Sequence, residues 1–340
     1  MNKKTKTALE MLVFIIITVI ISLSSPLNPW LGGSFTEIQN EILDISYSIR
    51  QGFLAYVELD GHYGPALYEF YGLGYLPTDT NVCHFIMELV LVFFTVMFNY
   101  KTASLYTSKI FSFVVAAVLT IFEIGSFTHA GAEELLYFIF TLTVYHVARQ
   151  LKYGFLSYHT YLLAIDFALV FFIQPGYSPI WFIMILFFAI KYPLEKIPSK
   201  DYKAFWFSVA EGLITVLIPM GLYLCYFKNS GEFWENVVIY TYHHMGSFSE
   251  SLRTLCFTPW FILTIIFLVV ISIKKLKGEH IADLCYWLYF MVVSYIVIAL
   301  QPDNLPSIVQ FSKALYIIPL ASTFSLVDKL IGLESETKKF

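Results

Sequence analysis

Long apolar segments without a single charged residue limit what this chain can fold into. Residues 11–23 and 257–273 are two such segments. A helix needs about 20 consecutive apolar residues to cross the hydrocarbon core of a bilayer. Only 14% of the 340 residues are charged and 58% are hydrophobic, whereas a typical soluble domain has about 25% charged residues. The sequence therefore predicts an all-α, polytopic membrane protein and excludes a soluble enzyme.

Proline, glycine and charge clusters divide the chain into about ten predicted transmembrane helices. These are 8–28, 82–99, 107–126, 131–149, 156–175, 177–194, 204–227, 256–273, 282–301 and 308–328. The first apolar segment lacks a cleavage site for a signal peptidase and is predicted to stay as the first span. We expect a single transmembrane domain, 1–340, with two long loops at 29–81 and 228–255.

The distribution of basic residues predicts the orientation of these helices. Seventeen of the 21 lysines and arginines fall on one predicted side, which is therefore cytoplasmic and holds both termini. Only Arg50, Lys228, Arg253 and Lys313 fall on or near the other side. Both long loops lie on this outer side, so we expect the protein to work there. The net charge of −4 argues against nucleic acid as a partner.

The first outer loop begins with a stretch, 36–50, whose polar and apolar positions follow helical spacing. Its polar stripe consists of Glu37, Glu41, Asp44 and Ser48. Its apolar stripe consists of Ile38, Ile42, Ile45 and Ile49. The pattern predicts an amphipathic helix on the membrane surface with a row of carboxylates on its polar face. A solvated acidic face is the alternative, although like charges at i and i+4 repel each other and no lysine separates them.

Three titratable residues follow within a short turn-rich segment. Glu58, Asp60 and His62 lie among the glycines of the segment 51–64. A structural loop has little need for three titratable groups within five residues beside an apolar surface. The cluster is better suited to orienting a polar ligand at the boundary between water and lipid.

This loop resembles the first outer loop of bacterial GT-C-type glycosyltransferases, integral membrane enzymes that use polyprenyl-phosphate-linked sugars. The similar stretches are IRQG at 49–52, AYVE at 55–58 and HYGPALY at 62–68. Patterns at 131–135, 227–234 and 316–320 are similar to later parts of these enzymes. The chain departs from the family at Tyr63, where a lysine is usual, and at Ala55, where a proline is usual. Asp60 lies one position before the family's second aspartate.

The resemblance implies a GT-C-like fold and transfer of a sugar from a polyprenyl-phosphate donor. The acceptor would be an envelope glycan, a lipid or a wall polymer at the outer face of a bacterial plasma membrane. It also implies direct displacement with inversion at the sugar carbon. A base must deprotonate the acceptor hydroxyl. Glu37 and Asp44 are the predicted catalytic residues, with Glu58 or Asp60 as the alternative base.

The phosphate leaving group and the sugars need donors, cations and hydrogen-bonding partners. The predicted substrate-binding residues are Arg50, Glu58, Asp60, His62, Tyr63, Glu133, Glu134, Lys228, His243, Arg253 and Lys313. For the basic residues, ordinary placement of the charged group at a helix end is the alternative. Glu133 and Glu134 are suited to sugar hydroxyls or a divalent cation, or to the dipole of the helix that they begin.

Two other functions stay open at this point. Acidic residues inside predicted spans are expensive in a membrane and often serve ion or proton pathways. Glu88, Asp166 and Glu211 are such residues and indicate a secondary transporter or flippase as the alternative. His84 precedes Glu88 by four residues, so those two side chains could pair on one helix face. A third possibility is a non-catalytic subunit that binds lipid-linked glycans.

Overall fold

The computed structural model describes residues 3–31, 33–122, 131–244, 246–249, 253, 259–301 and 312–330. All regular secondary structure within these ranges is helical, and they contain no β-strand. Ala55 and Leu59 form one isolated β-bridge. The all-α prediction is therefore confirmed for the described part of the chain.

Long helices account for most of the chain. Their bounds are α1 Lys3–Ser22, α2 Glu37–Arg50, α3 Pro65–Gly74, α4 Val82–Ala103, α5 Lys109–Phe122, α6 Ala132–Tyr153, α7 Ser157–Ile173, α8 Ser178–Leu194, α9 Ser199–Tyr226, α10 Pro259–Leu276, α11 Ala282–Ala299 and α12 Ile317–Leu330. A further helical segment, 230–243, starts as Ser230–Phe233, widens to a π-helix at Trp234–Ile239 and ends as Tyr240–His243. Short 3₁₀ turns at Pro175–Tyr177 and Ser312–Tyr316 precede α8 and α12.

Helices occur at all ten predicted span positions, but fewer of them meet the length and apolarity of a membrane span. Four do so among the described residues: α4, α8 with its preceding turn, α9 and α11. The apolar parts of α1, α5 and α7 are shorter than a full span. These features are consistent with a helical membrane protein. Residues 123–126, 256–258 and 308–311 of the predicted spans lie outside the described residues.

The first predicted span is too long at its carboxyl end. The sequence predicted a helix to residue 28, whereas α1 ends at Ser22. Hydrogen bonds from the Ser24 hydroxyl to the Ile21 carbonyl and from the Asn28 amide to the Leu23 carbonyl form turns there instead. Short polar side chains compete with the helix for backbone groups in this way.

Helix α9 packs closely along α7. A side chain at Gly212 of α9 would collide with the Tyr161 carbonyl and the Ala164 side chain of α7. Small residues allow helix backbones to approach in this way in membrane proteins. The carboxyl group of Asp166 on α7 adds a polar link to α6 and α8. Asp166 Oδ2 lies 2.8 Å from the Thr143 hydroxyl of α6, and this hydroxyl accepts the indole N–H of Trp181 on α8 at 2.6 Å.

A buried carboxylate links α12 to the start of α5. Asp328 Oδ2 accepts hydrogen bonds from the Thr107 hydroxyl and, at 2.7 Å, from the Ser108 backbone N–H. The first N–H groups of a helix have no partner within the helix, and a negative charge there also interacts favourably with the helix dipole. Asp328 is therefore a helix cap supplied from a distant part of the chain.

Replacing this cap should destabilise the fold. We expect Asp328→Ala to lower the free energy of unfolding by about 1–3 kcal/mol, because buried donors lose their acceptor. Thermal unfolding of the purified protein in detergent measures the effect. Asp79→Asn is the control, since Asp79 is exposed in a turn and should leave the unfolding temperature unchanged. Equal unfolding temperatures for all three proteins would contradict the assigned role of Asp328.

Candidate functional site

The amphipathic helix forms as predicted, but its apolar face is covered by protein. Thr36 and Gln39 cap the start of α2 by reciprocal hydrogen bonds of 3.3 and 2.7 Å. Ile42, Leu43 and Ile45 are buried, and α2 packs against α3. The polar stripe is exposed at Glu37, Glu41 and Asp44 and half-buried at Ser48. The centre of the apolar face thus rests on α3 rather than on lipid, while Ile38 is exposed.

Arg50 holds the end of α2 in place. Its guanidinium donates a 2.7 Å hydrogen bond to Glu69 Oε2 of α3, and the two groups form an ion pair. Tyr223 of α9 also interacts electrostatically with Glu69. The guanidinium packs so closely on Gly72 that a side chain there would displace it. Arg50 is therefore a link between helices in this structure, although the sequence predicted a substrate-binding residue.

The segment 51–64 is a tightly constrained loop. Tyr56 adopts a left-handed backbone (φ 67°), and its buried hydroxyl donates to the Tyr63 carbonyl at 2.7 Å. Glu58 Oε2 accepts the Leu54 backbone N–H at 2.7 Å, so this predicted binding residue closes a turn. A left-handed conformation is costly for a residue other than glycine and persists only when surrounding contacts enforce it. Here, burial of the Tyr56 ring and its hydrogen bonds supply those contacts.

Gly64 attaches this loop to the helical bundle. Its backbone N–H donates a 2.8 Å hydrogen bond to the carbonyl of Ile173, the last residue of α7. A Cβ atom at this position would collide with the Phe172 carbonyl. Pro65 then begins α3, as proline favours the first position of a helix. The Gly-Pro pair of the sequence motif therefore serves close backbone contact and helix initiation.

The two long predicted loops contact each other. Asn229 and Asn236 donate hydrogen bonds of 3.3 and 3.4 Å to the carbonyls of Ala55 and Tyr56. His62 is exposed and stacks on the Tyr240 ring, with centroids 4.2 Å apart. Together, 51–64 and 230–243 cover the end of the bundle where α7 ends and α8 begins. That both loops lie on the outer side of a membrane stays a prediction.

Two acids and three tyrosines from five elements interact electrostatically at this end of the bundle. Tyr63 interacts electrostatically with Glu133 at the start of α6 and with Glu41 of α2. Tyr177, in the turn before α8, is buried and interacts with Glu133 and Tyr63. Tyr68 of α3 is buried, its hydroxyl accepts a 3.3 Å hydrogen bond from the Tyr63 backbone N–H, and it interacts electrostatically with Glu41. We call these five residues the tyrosine–acid site.

The environment keeps the phenols of the site neutral. Burial raises the pKa of Tyr63, and the negative charges of Glu133 and Glu41 raise it further. Burial likewise raises the pKa of Tyr68. Tyr63 and Glu133 are half-buried, and Glu41 is exposed. The site therefore offers hydroxyl groups that can donate hydrogen bonds beside carboxylates that can accept a proton or bind sugar hydroxyls.

The remaining predicted site residues lie outside this group. Glu37 is exposed and makes no hydrogen bond or ion pair with a described residue, and Asp44 is exposed beside Tyr75. Asp60 is exposed near Tyr68. The exposed basic candidates are Lys228, His243 and Arg253, whereas Lys313 is half-buried in the turn before α12. The structure thus does not bring Glu37 into the tyrosine–acid site.

Glu134 points away from Glu133 into the protein. It accepts a 2.7 Å hydrogen bond from the Tyr71 hydroxyl and lies close enough to Glu88 for electrostatic interaction. Glu88 accepts a hydrogen bond from Ser25. Each carboxyl group has one buried oxygen, Oε1, without a hydrogen-bond partner among the described residues. His84 bonds the Tyr71 carbonyl at 2.8 Å, so it does not pair with Glu88.

Sequence reasoning missed three members of the tyrosine–acid site. Glu41 was visible in the polar stripe, but the stripe alone does not say which carboxylate faces the bundle. Tyr177 follows Pro175 and Gly176 at the start of a span, and this turn was the only signal. Tyr68 was visible at the end of the HYGPALY stretch, 62–68, but nothing in the sequence set it apart from the other tyrosines there. Gln301, which lies outside the site beyond the end of α11, donates a 2.7 Å hydrogen bond to the Gly176 carbonyl and fixes the turn that carries Tyr177.

Comparisons of the chain with protein-family models, curated proteins and solved structures find no match. Among the described residues, no group of three or more His, Cys, Asp or Glu side chains is arranged to hold a metal ion. The divalent cation stays a prediction.

The Gly64 contact provides a test of how the loop is held. We expect Gly64→Ala to lower the free energy of unfolding by about 1–3 kcal/mol, since the new methyl group must displace the backbone of α7. Denaturant or thermal unfolding in detergent, together with protease sensitivity of the segment 51–64, gives the measurement. Gly231→Ala is the matched control, because no atom lies near a side chain at that position. An unchanged Gly64→Ala protein would show that the loop is held elsewhere.

Proposed function

We propose that this protein is a membrane-embedded glycosyltransferase of the GT-C type. It transfers a sugar from a polyprenyl-phosphate donor to an envelope glycan, lipid or wall polymer. The observation that carries the proposal is that Glu41 and Glu133, from two separate helices, both interact electrostatically with Tyr63 at one end of an apolar helical bundle. Carboxylates beside neutral hydroxyl donors suit the binding and deprotonation of a sugar hydroxyl.

We assign the general base to α2 and the orientation of the acceptor sugar to the start of α6. Of the acids on α2, Glu41 interacts with both Tyr63 and Tyr68, so we add it to Glu37 and Asp44 as a candidate base. Glu133 is the candidate for orienting the acceptor sugar. Tyr63 stands where related loops carry a lysine and would donate a neutral hydrogen bond to the donor phosphate.

Positive charge for the leaving phosphate must come from the second loop or from the last helices. Arg50 is already paired with Glu69. Lys228 is exposed and has no ion pair among the described residues, and it directly precedes Asn229, which binds the first loop. We therefore propose Lys228 as the main phosphate contact, with His62, His243, Arg253 and Lys313 as further candidates.

The proposed setting is a bacterial plasma membrane with ten spans and both termini in the cytoplasm. The charge asymmetry of the sequence supports this orientation. Alternating passage of α4 to α9 through the bilayer would put the tyrosine–acid site on the outer side. The lipid-linked donor would reach it from the surrounding membrane.

A transporter or flippase is the second candidate, and one observation favours it. Glu88 and Glu134 are buried next to each other, and no basic residue pairs with either in the described part of the chain. Two adjacent carboxyl groups cannot both carry a charge cheaply in a dry interior. Such a pair could bind and release a proton. Asp166 is hydrogen-bonded to Thr143 and Glu211 is exposed, so neither extends this pair.

Envelope glycan analysis in a host that lacks the gene tests the proposal. Glu41→Gln, Glu133→Gln, Glu37→Gln and Asp44→Asn are expressed at matched levels with Glu88→Gln and Asp166→Asn. We expect Glu133→Gln and one of the α2 variants to lose a single sugar from the glycan by mass spectrometry. The activity loss should be about 10²-fold or more, as for removal of a general base.

The pattern of losses separates the candidates. Glu88→Gln and Asp166→Asn should retain the sugar if their carboxyl groups are structural. Loss only in Glu88→Gln or Asp166→Asn would replace the transferase proposal with transport. Full activity in every variant, with a glycan that still depends on the protein, would indicate the non-catalytic glycan-binding subunit.

A further inference from the structure

A groove lies between α8 and α11, at the opposite end of α8 from the tyrosine–acid site. Its volume is about 370 Å³, within the range of about 300–1,000 Å³ that is typical of ligand pockets. It is lined by Ile183, Leu186, Phe187, Ile190, Lys191, Leu194, Glu195, Tyr286 and Tyr289. Both helices are long and apolar enough to span a membrane. Leu186 and Ile190 of this lining are exposed, so the groove would open towards lipid in a bilayer that both helices span.

The length of the groove is close to the hydrocarbon thickness of one leaflet. Its lining on α8 runs from Ile183 to Glu195, which corresponds to about 18 Å at a rise of 1.5 Å per residue. One leaflet contributes half of the hydrocarbon core of about 30 Å. The side chains along this length are aliphatic and aromatic until the last turn of α8. This shape and chemistry suit a single acyl chain.

The two charged residues of the lining, Lys191 and Glu195, lie at one end of the groove. Lys191 Nζ lies 2.7 Å from Glu195 Oε2, and the side chains are 7% and 44% exposed. The same ammonium group lies 5.9 Å from the centre of the Tyr286 ring. A lipid headgroup with both a phosphate and an ammonium group would face a partner for each charge. An anionic headgroup without the ammonium would meet the more exposed Glu195 carboxylate unfavourably.

We propose that this groove binds one zwitterionic phospholipid, with an acyl chain along α8 and the headgroup at Lys191 and Glu195. Lys191 donates one hydrogen bond to Glu195, so the phosphate accepts from the other N–H groups of its ammonium, and the lipid ammonium group contacts the more exposed Glu195 carboxylate and the exposed Tyr289 ring. Cations bind favourably over the faces of tyrosine rings. The site is separate from the tyrosine–acid site and does not depend on the proposed transferase chemistry.

Native mass spectrometry of the delipidated full-length protein tests the site. Phosphatidylethanolamine and phosphatidylglycerol are added separately in increasing amounts. The wild type should bind one phosphatidylethanolamine more tightly than any further lipid and more tightly than phosphatidylglycerol. Equal, unsaturated binding of both lipids would overturn the proposal and indicate ordinary contact with bulk lipid.

Variants locate the bound lipid. Leu186→Trp and Ile190→Trp fill the groove and should abolish the tight binding. Leu217→Trp on α9 is the matched control, because Leu186 and Leu217 are both 44% exposed, and it should bind as the wild type does. Retained tight binding in both groove variants would place the lipid elsewhere and refute the site.

The headgroup assignment has its own test. Glu195→Gln keeps a hydrogen-bond acceptor for Lys191 but removes the charge that faces the ammonium group. We expect the preference for phosphatidylethanolamine over phosphatidylglycerol to fall about threefold, the size of a partly exposed ion pair. An unchanged preference in a folded Glu195→Gln protein would contradict the charge recognition.

Discussion

One backbone contact between the first long loop and the helical bundle positions the segment 51–64 and the start of α3. The Gly64 N–H bonds the last carbonyl of α7 at a distance that leaves no room for a side chain. This contact fixes Tyr63 on one side and the start of α3 on the other. The segment 230–243 then packs on the same loop through Tyr56 and Tyr240. A polar site assembled from separate elements needs such an anchor, because loops otherwise move independently of the helices.

The apolar helices and most of their boundaries could be predicted from the sequence, although the end of α1 could not. A helix that is buried in lipid or in protein must be apolar over its length, and this requirement does not depend on which elements it contacts. The amphipathic spacing of α2 also predicted that Glu37, Glu41 and Asp44 are exposed, but it was wrong for Ile38, which is exposed as well. The partners of individual charges were not readable. The ion pair that Arg50 forms with Glu69, nineteen residues away on the next helix, could not be predicted, and substrate binding by Arg50 stays a prediction. Glu133 and Glu134 are neighbours in sequence, but the helix turns one towards the tyrosines and the other towards Glu88.

The acidic residues differ in how unfavourable a negative charge is in their surroundings. Carboxylates on α2 stay in contact with water and need no partner. Asp328 and Asp166 are buried and obtain hydrogen bonds from hydroxyl or backbone groups. Glu88 and Glu134 each keep one buried oxygen without a partner among the described residues. Position within the bundle, rather than residue type, therefore decides whether an acid is available for chemistry, and only tertiary packing determines that position.

Chemical cross-linking on intact cells tests most directly whether the two loops form one site on the outer face. The four native cysteines are first replaced by serine, and His62→Cys is combined with Tyr240→Cys, whose native rings stack at 4.2 Å. A short thiol-reactive cross-linker that cannot cross membranes is added from outside. We predict an intramolecular cross-link in the double variant and none in either single variant. Labelling of both cysteines without cross-linking would contradict the packing of the loops, and reaction only in inverted vesicles would contradict the outer placement of the site.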